Sequence, residues 1–361
     1  MLPRKNILKI EPYQPGKPIE TVKRELRLDK VIKLASNENA LGPSPRAVRA
    51  IKEALEGINR YPDSDCFYLK KKLAEKLVVS AGNLVFGCGA DEIIVLALRA
   101  FVDPGDEVVI ARPTFLIYQI AALAADAKIT FVPQKDFRYD LKAIKQALTA
   151  KTKIVFIANP DNPSGTYVNK EEVREFMRGL PADTVVFFDE AYYELAEKED
   201  FPNTLDYLDE YNVVIARTFS KAYGLSGLRI GYGIARPEII GYLNRVREPF
   251  NVNILAQAAA LAALDDDEHL RRTLSLLREG KSYLYENLRK MNLSYIESVT
   301  NFILINMGGN ACGICRQLLE QGIIVRDMNA WGMADFIRVT VGTMAENKTF
   351  ITALGKIKNN Q

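Results

Sequence analysis

Between residues 80 and 240 one pattern repeats: a short apolar run, a turn, then a stretch with helical spacing of apolar positions. The runs are NLVFG, EVVIA, KITFVP, KIVFIA, TVVFFDE, NVVIA and LRIGYGIA. They are rich in Val, Ile and Phe and mostly uninterrupted by polar residues. A strand with one wet face alternates apolar and polar side chains, whereas unbroken runs suit strands covered on both faces. The block therefore predicts an α/β fold with a mostly parallel sheet and covering helices. Upstream, an amphipathic helix is expected from about Pro45 to Glu56 and another from about Cys66 to Val79. Residues 1–45 hold EPYQPGKP and NENALGPSP and read as extended. After REPFNVN (247–253) the texture changes. Helical patterns over 254–264 and 267–291 precede strand-like FILIN, GIIVR and FIRVTV around one more helix, and a last helix closes the chain. The expected organisation is an extended segment 1–45 joining a small domain, a large α/β domain 46–250 and a small α+β domain 251–361.

Composition narrows the function. The chain has 361 residues, enough for two domains. Its 48 basic and 45 acidic residues are interspersed, which argues against a nucleic-acid or membrane-surface footprint. No apolar run approaches the ~20 residues of a spanning helix. The N-terminus lacks the apolar core of a secretion signal, and four cysteines make no disulfide framework. The cytoplasm is the expected compartment. Cys312 and Cys315 have no second pair and read as packing residues. The single histidine, His269 in DDDEHLRRTL, excludes a multi-histidine metal site in one chain. It reads as a solvated residue at an exposed helix start, and no metal is expected.

The chemistry gathers where the apolar runs end, the edge at which open α/β sheets bind ligands. NLVF is followed by GCGADE and a helical pattern, so Ala90 and Asp91 open a helix whose free N–H groups suit a phosphate. Glu92 stands where a dinucleotide fingerprint needs its third glycine. KIVFIA leads into NPDNPSG, which leaves the Asn162 amide available. TVVFF ends on Asp189, a carboxylate that needs a cation or good donors. NVVIA leads into RTFSKAYG, with Lys221. Pyridoxal phosphate matches this set. Its aldehyde needs a partly desolvated amine, Lys221. Its ring nitrogen needs a buried carboxylate, Asp189. Asn162 and Tyr192 suit the ring oxygen, and Phe115 in ARPTFLIY the ring face. Ala90, Asp91, Ser220 and Arg229 suit the phosphate.

With these motifs in this order, the chain resembles the fold-type-I pyridoxal-phosphate-dependent aminotransferases over nearly its whole length. KLASNENALGPSP, RYPD, IVRDM and FIRVTVGT add to the likeness. The resemblance implies that Lys221 forms the Schiff base and shuttles protons, with Asp189 and Tyr192 beside it. It implies that Tyr61 reaches the cofactor phosphate of a second subunit, hence a homodimer. Arg338, Arg326 and Tyr13 would contact substrate. Within the family the motifs suit the branch acting on histidinol phosphate. That branch passes the amino group to 2-oxoglutarate in a ping-pong cycle, with glutamate as the second product. Aromatic amino-acid transamination and threonine-phosphate decarboxylation are the alternatives. Two departures are small: Ala40 stands where proline is common, and Phe115 replaces a frequent tyrosine.

Overall fold

The computed structural model describes residues 2–359. Helix α1 (Ile19–Leu26) and the short strand β1 (Ile32–Lys33) come first, then helices α2 (Pro45–Ala54) and α3 (Phe67–Leu77). Ser44 starts α2: its Oγ accepts the Ala47 N–H at 3.0 Å, and Pro45 occupies the first turn. The central sheet contains β2 (Leu84–Gly87), β3 (Glu107–Arg112), β4 (Lys128–Pro133), β5 (Thr152–Ala158), β6 (Val185–Asp189), β7 (Val213–Thr218) and β8 (Gly231–Ala235). Their order is β2-β8-β7-β6-β5-β3-β4. Strands β3 to β7 pair parallel; β8 runs antiparallel to both neighbours, so β2 shares the direction of the parallel set. Six strands thus end on one edge.

The connecting helices are α4 (Ala90–Phe101), α5 (Leu116–Ala124), α6 (Leu141–Ala147) and α7 (Lys170–Met177). Asn169 and Glu172 close a capping box at the start of α7. Every residue of β6 and β7 is buried. Phe156, Phe187 and Phe188 are fully buried, each contributing about 1.5–3 kcal/mol on leaving water.

Helices α8 (Pro237–Val246), α9 (Ile254–Ala263) and α10 (Asp267–Lys290) follow. The C-terminal part contains β9 (Tyr295–Ile296), β10 (Phe302–Asn306), α11 (Ala311–Glu320), β11 (Ile323–Ile324), β12 (Arg326–Asp327), β13 (Phe336–Thr340) and α12 (Met344–Asn359). Strands β12-β13-β10-β9 form an antiparallel sheet, and β1 pairs parallel with β11. The N-terminal segment is therefore stitched to the C-terminal part. No helix among the described residues is long and apolar enough to cross a membrane.

Four local expectations are corrected. The segment 1–45 is not wholly extended, because IETVKREL folds into α1, which buries Val22. KITFVP is a sheet edge with only Val132 buried, not a strand covered on both faces. GIIVR is broken into β11 and β12, which pair in different sheets. His269 is buried, at 6% exposure. The acids before it do cap α10, with Asp266 accepting the His269 N–H at 3.2 Å. The imidazole turns inward against the Gly42 backbone, where burial holds its pKa below the ordinary range.

Candidate functional site

At the edge where the parallel strands end lies a cavity of about 430 Å³. Its wall takes residues from the N-terminal segment, the strand ends and the β12–β13 pair. Lys221, three residues past β7, points its amine here. The Nζ is 3.4 Å from the Ser36 carbonyl and 5.7 Å from the centre of the Tyr192 ring. Burial first, then the Arg338 charge, bring its pKa down to about 8.

Asp189, the last residue of β6, is 6% exposed. It accepts the Tyr118 hydroxyl at 2.5 Å and the Ala191 N–H at 3.0 Å. Those donors lower its pKa, but burial outweighs them and raises it to about 6. No cation pairs with it among the described residues. Tyr192 accepts from Asn37 Nδ2 at 2.9 Å, which leaves its own proton free to donate. Asn162 Oδ1 accepts from Arg338, which leaves its Nδ2 protons for the cavity.

Helix α4 begins at the same cavity. Gly89 caps it with φ 80° and ψ 170°, a backbone that glycine adopts readily. A Cβ there would fall 2.6 Å from Arg229 Nη2, so any side chain would displace that guanidinium from the helix start. Ala90 and Asp91 present the first helical N–H groups, Thr218 donates to Ser220 Oγ at 3.0 Å, and Arg229 bonds the Asp91 carboxylate at 3.3 Å. Together they make an anion cradle. Phe115 also lines the cavity, edge-on to Tyr118 at 5.6 Å between ring centres.

Across the cavity stand Arg326 and Arg338, both buried, with no ion pair among the described residues. The Nε of each is buried without a partner. Arg326 donates to the Gln14 carbonyl at 2.6 Å and Arg338 to the Ala35 carbonyl at 3.1 Å. Tyr13 adjoins Arg326, 5.8 Å from its ring centre. Of the residues singled out from sequence, twelve share this cavity: Tyr13, Ala90, Asp91, Phe115, Asn162, Asp189, Tyr192, Ser220, Lys221, Arg229, Arg326 and Arg338. Tyr61 lies elsewhere, 82% exposed and stacked on Phe250 at 4.7 Å.

Sequence reasoning assigned no role to Tyr118, Asn37, Ser36 or Thr218. Tyr118 and Asn37 lie inside quoted motifs, yet their partners are 71 and 155 residues away. No local spacing encodes such bonds.

The amine and the carboxylate carry complementary deficits. A protonated pyridine nitrogen would relieve Asp189, and an aldehyde would take up the neutral amine of Lys221. Pyridoxal phosphate offers both, with a phosphate for the start of α4, so the residues fit that group. The sequence comparison places the site in a class: the chain belongs to the family described as aminotransferase class I and II, whose model matches residues 29–354. It is 49% identical to the histidinol-phosphate aminotransferase of Moorella thermoacetica, over 98% of this chain and 92% of that one. It is 44% identical to the enzyme of that name from Caldicellulosiruptor saccharolyticus, over 98% of this chain and 99% of that one. Its fold is similar to the crystal structure of histidinol-phosphate aminotransferase from Sinorhizobium meliloti in complex with pyridoxal-5'-phosphate. That match has a TM-score of 0.92 at 28% identity and covers 100% of this chain and 99% of that one.

Proposed function

We propose that the chain is a pyridoxal-phosphate-dependent transaminase that moves the amino group of histidinol phosphate to 2-oxoglutarate, a step of histidine biosynthesis. One observation carries the substrate reading. Two buried guanidiniums without carboxylate partners face the cavity that holds the lysine amine. Histidinol phosphate has an amine and a phosphate but no carboxylate, so one anion-binding pair holds it. The same pair then holds a carboxylate of the oxo acid after the first product leaves, which gives a ping-pong cycle.

When bound, the cofactor supplies the carbonyl that takes up the amino group and the ring that delocalises the electron pair left on the substrate carbon. The chain supplies the rest. Asp189 holds positive charge on the ring nitrogen. Asn162 and Tyr192 donate to the ring oxygen, and Phe115 packs on the ring face. Ala90, Asp91, Ser220 and Arg229 hold the phosphate. Lys221 Nζ, in its neutral form, would take the proton from the reacting carbon and return it to the carbon on the far side of the nitrogen, two atoms away. Arg326, Arg338 and Tyr13 fix the substrate anion, so that the carbon to be deprotonated sits within reach of Nζ.

The reading extends to the whole chain. Residues 1–45 and 251–361 form a small domain against the large domain 46–250. Two copies form a homodimer in which Tyr61 completes the partner's phosphate site, and the enzyme works in the cytoplasm. The exposed Tyr61, stacked on the exposed Phe250, supports the dimer, since clustered exposed apolar groups mark an interface.

A half-reaction tests the function. Purified holoprotein receives histidinol phosphate, phenylalanine or threonine phosphate separately, without an oxo acid, and absorbance follows the cofactor. Conversion to the amine form fastest with histidinol phosphate, reversed by 2-oxoglutarate, is the expected result. Conversion by phenylalanine alone would overturn the substrate. Carbon dioxide release from threonine phosphate would overturn the reaction type.

A further inference from the structure

Arg326 and Arg338 are directly opposed residues of the antiparallel pair β12–β13. Opposed residues project from the same face with Cβ atoms about 5 Å apart, and like charges there repel. Both are buried, and no carboxylate pairs with either among the described residues. The Gln14 and Ala35 carbonyls and Asn162 Oδ1 each hold one of the two, and Phe302 lies 5.3 Å from Arg338 alone. Keeping two such cations together before any substrate arrives calls for a group shared by both.

One side chain touches both. The indole of Trp331 has the Arg326 guanidinium carbon 5.2 Å from its ring centre and that of Arg338 at 5.7 Å. Both distances fall within the reach of cation–π attraction, which is strongest for tryptophan and grows with desolvation. Trp331 is 6% exposed and is not part of the cavity wall, so it stands behind the arginines. Its Nε1–H donates to the Thr114 carbonyl at 2.9 Å. Thr114 directly precedes Phe115, and Leu116 packs into the same cluster as Trp331, Met328, Met333 and Leu304. The indole therefore ties the turn that carries Phe115 to the strand pair that carries both arginines.

We infer that Trp331 is the positioning residue of the substrate-anion site: its π face holds the two guanidiniums, and its N–H fixes them relative to the Phe115 turn. The inference rests on the reading of Arg326 and Arg338 as anion ligands. It also makes Trp331, the only tryptophan of the chain, a built-in optical reporter of that site.

The test begins with holoenzyme. Tryptophan emission is followed while inorganic phosphate is added at constant ionic strength, with chloride as the control. A saturable change with phosphate and none with chloride is expected. The variants Trp331→Phe, which keeps an aromatic face, and Trp331→Leu, which does not, are then assayed. The KM for histidinol phosphate should rise about tenfold in W331L and about threefold in W331F. The kcat should stay within about twofold, because the group acts on binding of an anion present in ground and transition states alike. KM for an amino donor without any anionic group, such as histidinol, should hardly change. An unsaturable emission signal in an enzyme that does turn over histidinol phosphate would overturn the inference and leave the proposed function intact. Equal losses for donors with and without an anion would also overturn it, as the signature of a merely structural residue. A saturable phosphate signal in a protein that does not turn over histidinol phosphate would keep the anion site and sink the substrate assignment.

Discussion

Burial shifts the pKa of Lys221 down and that of Asp189 up, each towards its neutral form, and the signs of the two shifts give separate predictions. The Lys221 pKa falls from 10.5 to about 8, so the neutral amine becomes the major form above pH 8. Cofactor capture by the apo protein, followed by absorbance, should rise through a midpoint near pH 8. A midpoint near that of free lysine would show that the amine is not shielded. The unfolded chain keeps this proton up to its higher pKa. The Lys221 contribution to apo stability therefore increases with pH across that window. Comparing the wild type with Lys221→Met isolates it from Lys281, which burial also lowers to about 8. For Asp189 the sign reverses. Its pKa rises from 3.8 to about 6, so stability is lost as pH climbs through that range, and at pH 7 the charge is a standing cost. Asp189→Asn should therefore stabilise the apo protein by roughly 1–2 kcal/mol at neutral pH while abolishing transamination. Thermal melts of the apo forms check this, and an apo variant less stable than the wild type would refute it.

At the scale of elements, the junction of β2 and α4 shows what a motif can and cannot report. GCGADE announced a tight turn and a helix start, and both are present. The motif could not announce that Gly89 faces Arg229, a residue 140 positions later, because that proximity depends on β2 and β8 being neighbours in the sheet. The buried strands were legible for a plain reason: covering both faces leaves no polar positions, so the runs stand out. The edge strand β4 kept the same apolar letters without the burial, and α1 hid within a Pro-rich stretch. The inward turn of His269 depends on a loop more than 200 residues earlier. The junction yields a paired prediction. Gly89→Ala puts a side chain at φ 80° and 2.6 Å from Arg229 Nη2. It should cost about 1–3 kcal/mol and weaken cofactor retention. Gly105→Ala, at φ 91° with no neighbour within 4 Å, carries a similar backbone penalty away from the site. It should lower the melting temperature yet leave cofactor dissociation unchanged. Equal cofactor loss in both variants would show that backbone strain, and not the Arg229 contact, explains the effect.

At the scale of the molecule, the cavity is assembled from the two ends of the chain and its middle. Asn37 reaches Tyr192 and receives the amide of Asn301 on its carbonyl at 2.9 Å, while β1 pairs with β11. The composition of the site was readable because each piece carries its own motif. Its geometry was not, because the pieces meet only through long-range packing. On the proposed function, Tyr61 is the piece that a second copy supplies. It lies 82% exposed and stacks on Phe250, itself exposed, a pattern that makes sense if a second copy covers it. Two consequences can be measured. Sedimentation should give a dimer at micromolar concentration, and Phe250→Asp should shift it toward monomer with loss of activity. The sharper consequence concerns whose site Tyr61 serves. Lys221→Ala and Tyr61→Ala proteins should each be weakly active alone. If Tyr61 acts on the partner, a mixed dimer has one doubly defective site and one with both residues intact. Random reassociation makes half the dimers mixed with one intact site in each, so the mixture should recover about a quarter of wild-type activity. If Tyr61 serves its own chain, every site in the mixed dimer carries one defect and nothing is recovered. The Lys221→Ala partner can supply an intact Tyr61 but no amine, so the recovered activity can arise only across the interface.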